Sequence, residues 1–85
     1  MNSKEINELA DVIVAIDDRQ VAKDLLRNIL TPTELEEVVK RLQIVKLLKK
    51  GVAQREIAKK LNVSIGTITR GSRELKSGAP GFKMI

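Results

Sequence analysis

One aromatic side chain, Phe82, has to serve a chain of 85 residues. Aromatic rings carry the largest apolar payload a core can bury, so a core made without them depends on aliphatic side chains in close register. A domain of this size buries only roughly 60% of the surface that its unfolded chain exposes. A monomer built this way is marginal, and sharing the core with a second chain is the economical remedy. Cysteine and histidine are both absent, which removes disulfides, thiolate chemistry, the common zinc ligands and the usual neutral-pH general base. The acidic pairs Asp17-Asp18 and Glu36-Glu37 are adjacent in sequence, so they point to different parts of a helix surface and do not converge. Capping and solvation account for them, and neither an enzyme nor a metal site is expected. No apolar run nears the roughly 18 residues of a membrane span, and no basic-then-apolar leader opens the chain. The expectation is a soluble cytoplasmic protein.

Charge is unevenly spread. Residues 1–39 hold four Lys/Arg against nine Asp/Glu, a net −5, whereas residues 40–85 hold twelve against two, a net +10. The second half carries the field that an anionic partner would feel, whether nucleic acid or an acidic protein surface. A solvated helical surface would explain such an excess equally well, so position has to decide.

The apolar pattern is helical throughout, with no repeat and no alternating strand. Ile6, Leu9, Ala10 and Ile13 predict a first helix over about 4–16. Asp17-Asp18 offers an N-cap, and Val21, Ala22, Leu25, Leu26, Ile29 and Leu30 form the stripe of a second helix. Thr31, Pro32 and Glu34 then spell a capping box with proline at the first helical position. Leu35, Val38, Val39, Leu42, Val45 and Leu48 continue that third helix to Lys49-Lys50, where Gly51 suits a left-handed cap. These stripes are wider than a small helical unit needs, which again predicts a partner chain.

Gln54 to Leu75 is the informative stretch: QREIAKKLNVSIGTITRGSREL. Ile57, Ala58 and Leu61 form the inner face of a short helix, and Asn62 tolerates the left-handed backbone of a tight turn. Val63 tucks beneath that turn. Ser64 can cap a second helix whose inner face is Ile68 and Leu75, with Gly71 allowing close backbone approach. This is the helix-turn-helix arrangement. Any helical hairpin with a tight turn could share it, but the outer face separates the two readings. Gln54, Arg55, Lys59, Ser64, Thr67, Thr69, Arg70, Arg73 and Lys76 are hydrogen-bond donors, and acidic residues are nearly excluded. In a DNA complex the second helix would enter the major groove with Ile65, Gly66 and Thr67 at base edges, Gly66 letting the backbone come close. Arg55 is the candidate for a bidentate guanine contact, while Gln54, Thr69 and Lys76 suit phosphates. One reading helix per chain predicts a two-fold homodimer on a palindromic operator in double-stranded DNA.

TPTE, KRLQIVKLLKKG, QREIAKKL and ITRGSRELK, spread over about Leu30 to Lys76, resemble the bacterial tryptophan repressors. The resemblance implies an all-α fold, a small helical bundle with helix-turn-helix in an intertwined dimer. It also implies L-tryptophan as corepressor, setting the angle of the DNA-reading helices. Arg41 and Arg70 match the two arginines that sandwich the indole, Arg70 also meeting the carboxylate. Thr31 matches a residue that holds that carboxylate, Leu30 one whose carbonyl meets the ammonium across the dimer, and Gly71 the glycine that makes room for the ring. Glu74 departs from the family's usual serine, and a glutamate either pairs with the ammonium or fills the site. Each residue also has an explanation without a ligand: Arg41 in an ion pair with the acidic half, Arg70 on DNA phosphate, Thr31 as a cap.

Further departures are a segment between Gly51 and Gln54 one residue shorter than in tryptophan repressors, Ala53 without a capping hydroxyl, and the ending GAPGFKMI where the family has a helix. These features resemble a second branch of repressor-like proteins with a similar glycine-aromatic-lysine-methionine ending. The organisation expected is a dimerisation and core segment over 1–50, a helix-turn-helix over 51–76 and a tail over 77–85. The function expected is a sequence-specific DNA-binding repressor. Its alternatives are a ligand-independent regulator of the same type, or a helical protein-binding module such as an antitoxin or adaptor.

Overall fold

The computed structural model describes residues 1–85. It is built from five α-helices and a terminal 3-10 helix: α1 (Ser3–Ala15), α2 (Arg19–Ile29), α3 (Pro32–Lys49), α4 (Gln54–Leu61), α5 (Ile65–Ser77) and the 3-10 helix Pro80–Met84. The helix starts are written in short polar side chains. Asn2 accepts from the Glu5 amide at 2.9 Å while Glu5 reaches back to the Asn2 amide, a capping box ahead of α1. Asp18 caps α2 by accepting from the Val21 amide at 3.0 Å. At α3 the reciprocal pair is Thr31 and Glu34: Glu34 N–H donates to Thr31 Oγ1 at 3.2 Å, and Thr31 N–H donates to Glu34 Oε1 at 2.9 Å. Each cap satisfies amides that the helix itself leaves without partners.

Two compact units part between Leu35 and Glu36. The reason lies in the second unit, where Ile44 of α3 is buried in one cluster with Ile57 of α4 and Ile68 of α5. The later turns of α3 are therefore part of the helix-turn-helix body. Leu47, Leu48, Val52, Ala58, Leu61 and Val63 pack around this cluster. Val45 is fully buried as well.

Between α4 and α5 the chain turns where Asn62 takes φ 54° and ψ 51°, the one non-glycine residue with positive φ. Val63 N–H closes the turn on the Ala58 carbonyl at 3.1 Å. Ser64 caps α5 by accepting from the Thr67 amide at 3.1 Å. Ala53 precedes α4 with no side-chain cap, as its methyl dictates. Gly51, at φ 82°, ends α3 in the left-handed conformation that glycine adopts without a Cβ penalty.

The first unit contrasts with this. Neither α1 nor α2 buries a single residue, although their apolar residues keep helical spacing. Ile6, Leu9, Val12 and Ile13 of α1, and Val21, Leu26 and Ile29 of α2, are all exposed. Val38, Val39 and Leu42 on α3 are exposed as well. Apolar surface arranged so regularly and left uncovered marks an association surface.

The capping box of α3 has a titration consequence. The Thr31 amide and then the Thr31 hydroxyl hold the Glu34 carboxyl below the ordinary glutamate range, because both bonds favour the charged form. A depressed carboxyl pKa contributes stability that is present above the ordinary value and is lost as pH falls through the lowered one. Carboxyl NMR should therefore find Glu34 titrating below the ordinary glutamate value, and Thr31→Ala, which removes the hydroxyl but keeps the amide, should return it part of the way.

Candidate nucleic-acid interface and adjoining cleft

The helix pair α4–α5 presents its charged residues outward. Ile57, Ile68 and Ser72 face inward and are buried, which leaves Arg55, Lys59 and Lys60 of α4 and Arg70, Arg73 and Lys76 of α5 exposed. The chain's only ion pair is Arg41–Glu37 on α3, at 3.9 Å. None of these six cations has an acidic partner within the chain. A surface that carries so many unpaired positive groups on two crossing helices has the electrostatics for a polyanion.

Individual polar residues on this face divide between internal tasks and free groups. Gln54 and Thr69 bond each other, Thr69 Oγ1 donating to Gln54 Oε1 at 3.4 Å, which ties the start of α4 to the middle of α5. Ser64 and Thr67 hydroxyls lie 2.8 Å apart, so the cap and the first turn of α5 are locked together. Ile65 and Gly66 stand exposed at that same helix start. A Cβ on Gly66 would meet only Ser64 Oγ, at 3.8 Å. Its own chain does not require glycine there, and an approaching partner would explain it. Arg55 and Lys59 are free of any hydrogen bond within the chain and project from α4. Arg73 and Lys76 lie further along α5; the carbonyl of Arg73 accepts from Ser77 Oγ and that of Lys76 from Lys83 Nζ.

Beside this face, between α3 and α5, opens a cleft of about 620 Å³. That volume lies within the roughly 300–1,000 Å³ usual for small-molecule sites. Its lining is Glu37, Lys40, Arg41, Ile44, Val45, Val63, Thr67, Arg70, Gly71, Glu74 and Phe82. Four of the six residues named for a ligand by resemblance are brought together here: Arg41, Arg70, Gly71 and Glu74. Leu30 and Thr31 are outside the lining and belong to the first unit. Arg41 does make the ion pair with the acidic half, but both partners are more than half exposed, and such pairs contribute about 0–1 kcal/mol.

At Gly71 the backbone of α5 lies close against a side chain of α3, since a Cβ there would lie 3.1 Å from Ile44 Cγ2. Glu74 lines the rim, with its carboxylate beside Gly78, and the cleft stays open.

Sequence reasoning missed several contributors. Phe82 and Lys40 line the cleft without having been named for a ligand, and Thr67 lines it while its amide donates to the Ser64 cap of α5. Ser72 is buried at 9% exposure, where a hydroxyl would not be sought. The tail's own clue was compositional: the chain's one aromatic sits in a Gly/Pro-rich ending, a costly residue to leave idle.

A helix-turn-helix body with an unpaired basic face and an adjoining cleft has the architecture of a DNA-linked regulator. Known proteins agree. The family model described as Trp repressor protein matches residues 4–85. A Trp operon repressor homologue from Histophilus somni is 42% identical over 82 residues, 95% of this chain and 77% of its own length. Another, from Mannheimia succiniciproducens, is 52% identical over 61 residues, 71% of this chain but 60% of its own length. Among solved structures, a candidate Trp repressor from Staphylococcus aureus shows TM-score 0.88 at 26% identity, over 98% of this chain and 83% of its own. A TrpR-like protein from Eubacterium eligens shows TM-score 0.89 at 25% identity, over 98% and 86%. The chain belongs to the Trp repressor family.

The two glycines of α5 should respond oppositely to alanine. Ile44 is packed against Ile57 and Ile68 and would have to give by a few tenths of an ångström, so Gly71→Ala incurs the overpacking cost of about 1–3 kcal/mol against a helix-propensity gain of at most about 1 kcal/mol. Gly66→Ala meets no obstacle and should gain a few tenths of a kcal/mol to about 1 kcal/mol. Urea midpoints of the two variants should move in opposite directions.

Proposed function

We propose that this protein is a sequence-specific DNA-binding transcriptional repressor that acts in the cytoplasm, as a homodimer on a palindromic operator, with L-tryptophan as corepressor in the α3–α5 cleft. The observation that carries the reading is the set of six unpaired cations on the outer face of α4–α5. In the complex, the start of α5 enters the major groove with Ile65, Gly66 and Thr67 toward base edges. Arg55 reads guanine by a bidentate contact. Gln54, Lys59, Ser64, Thr69, Arg73 and Lys76 set register on phosphates. Arg70 lies at the border of both surfaces, able to meet either phosphate or ligand carboxylate with a planar guanidinium.

The uncovered apolar stripes of α1, α2 and α3 support the homodimer, because a second copy would supply the core that the first unit lacks. An intertwined partner would also bring Leu30 and Thr31 to a cleft that a single chain lines from its second unit alone. Two reading helices about 34–36 Å apart would then face one side of the duplex. Ligand binding between α3 and α5 would bias the angle of α5, which is how a small molecule gains leverage over DNA affinity.

A ligand-independent regulator is the second reading, favoured by Glu74 at the rim where the family usually has serine. A protein-binding module is separated from both by salt. Duplex DNA affinity should fall steeply with ionic strength, by a log–log slope of about −0.9 per neutralised phosphate, and a flat response would point to the protein partner.

Two substitutions test the roles on DNA. Arg55→Ala should relax base preference at one position, costing about 1–3 kcal/mol on operator and little on random DNA, whereas Lys76→Ala should weaken both alike and flatten the salt slope by about 1. Equal losses on both DNAs for Arg55→Ala would remove it from base reading. For the cleft, Arg41→Ala should abolish tryptophan-dependent operator binding while leaving basal DNA affinity in place, read by fluorescence anisotropy with and without the amino acid.

A further inference from the structure

The cleft has one wall that neither the helix-turn-helix nor the family resemblance accounts for. Phe82, the only aromatic residue in the chain, lines it together with Arg41, Arg70, Gly71 and Glu74. The ring reaches the cleft through a turn held at several points. Gly78 ends α5 by donating its N–H to the Glu74 carbonyl at 2.9 Å, and a Cβ at that position would lie only 2.6 Å from the same oxygen. Pro80 opens the 3-10 helix, where its fixed φ suits the first position. Lys49, at the end of α3, donates from Nζ to the Phe82 carbonyl at 2.9 Å and also to the Ile85 carbonyl oxygen. Lys83 Nζ reaches the Lys76 carbonyl at 3.4 Å.

The 620 Å³ of the cleft is the space that remains with the ring in place. Phe82 is thus a wall of an open site and not a plug in a closed one. Around that space stand the guanidinium groups of Arg41 and Arg70, the Lys40 ammonium, the carboxylates of Glu37 (paired with Arg41) and Glu74, and the apolar side chains of Ile44, Val45 and Val63. Opposite charges beside an apolar wall match a zwitterion that carries an apolar or aromatic side chain.

We propose that Phe82 is a specificity-determining, ligand-contacting residue of this cleft, carried there by the tail to meet the side chain of the amino acid already assigned to the cleft. Its carboxylate meets a guanidinium, its ammonium meets a carboxylate, and its side chain packs against the Phe82 ring. Lys49 is a positioning residue, acting through the backbone of the tail. The assignment rests on the small-molecule reading of the cleft proposed above, and it adds a wall that the chain supplies outside its helix-turn-helix.

The test is calorimetric titration of the full chain with the twenty L-amino acids, D-enantiomers serving as controls, followed by Phe82→Ala, Phe82→Trp and Lys49→Met with the tightest binder. Stereoselective binding by the unsubstituted chain is expected, weakened on the order of tenfold by Phe82→Ala, as loss of an aromatic contact and its burial implies. Lys49→Met should give a smaller loss, and DNA affinity without ligand should be unchanged in both. Phe82→Trp should keep binding, and as the chain's sole indole its emission should shift on saturation with a bound amino acid that is not itself an indole. If Phe82→Ala binds as tightly as the unsubstituted chain, or more tightly, the wall assignment is overturned while the ligand reading stands. Failure of every amino acid to bind the unsubstituted chain overturns both. Should Phe82→Ala lose helical circular dichroism, the Phe82→Trp emission decides, and an unchanged spectrum at saturation overturns the assignment.

Discussion

The contact among Ile44, Ile57 and Ile68 is what the second unit depends on. Each comes from a different helix, each is at most 1% exposed, and full burial of such a side chain contributes about 1.5–3 kcal/mol. With no ring available to span a gap, three aliphatic side chains meet only if the helix backbones approach closely. Gly71 permits that approach against Ile44, and the left-handed Asn62 lets α4 and α5 cross within so short a connection. A core this small leaves little redundancy, so the turn, the glycine and the isoleucines stand or fall together.

That inward economy organises the outward face. Because α4 and α5 bury narrow stripes, most of their circumference remains in solvent, and it is there that the basic residues gather. Gly71 of α5 and Ile44 of α3, which meet at this close contact, both line the cleft. In the reading proposed above, a ligand held by Arg41 on α3 and Arg70 on α5 would bridge the two helices and so bear on the inclination of α5. On that reading the DNA-facing and ligand-facing surfaces would be two sides of one helix, giving a physical route for coupling between them.

Local signals were the most legible. Thr31-Pro32-Thr33-Glu34 announced a capping box, Asn62 a left-handed turn, Ser64 a cap, and Gly51 a helix stop; all depend on residues within three or four positions of one another. The family resemblance was equally legible, carried by ITRGS and QREIAKKL. Less legible was the boundary between units, since the stripe of α3 looks continuous and only the destination of Ile44 divides it. Ser72 was missed because burial of a hydroxyl is a property of the packed site. Phe82 was missed because nothing near it in sequence states which surface a short tail will meet.

By itself, then, the sequence determined the helices, their caps and turns, the helix-turn-helix register and the separation of acidic from basic halves, all through interactions that act over a turn or two of chain. Only the tertiary structure decided that the later turns of α3 join the reading helices and that Arg41, Arg70, Gly71 and Glu74 share one cleft. It also brought the tail back to supply that cleft with an aromatic wall. Those outcomes depend on contacts between residues tens of positions apart, such as Lys49 with Phe82, and no local periodicity encodes where such distant groups will meet.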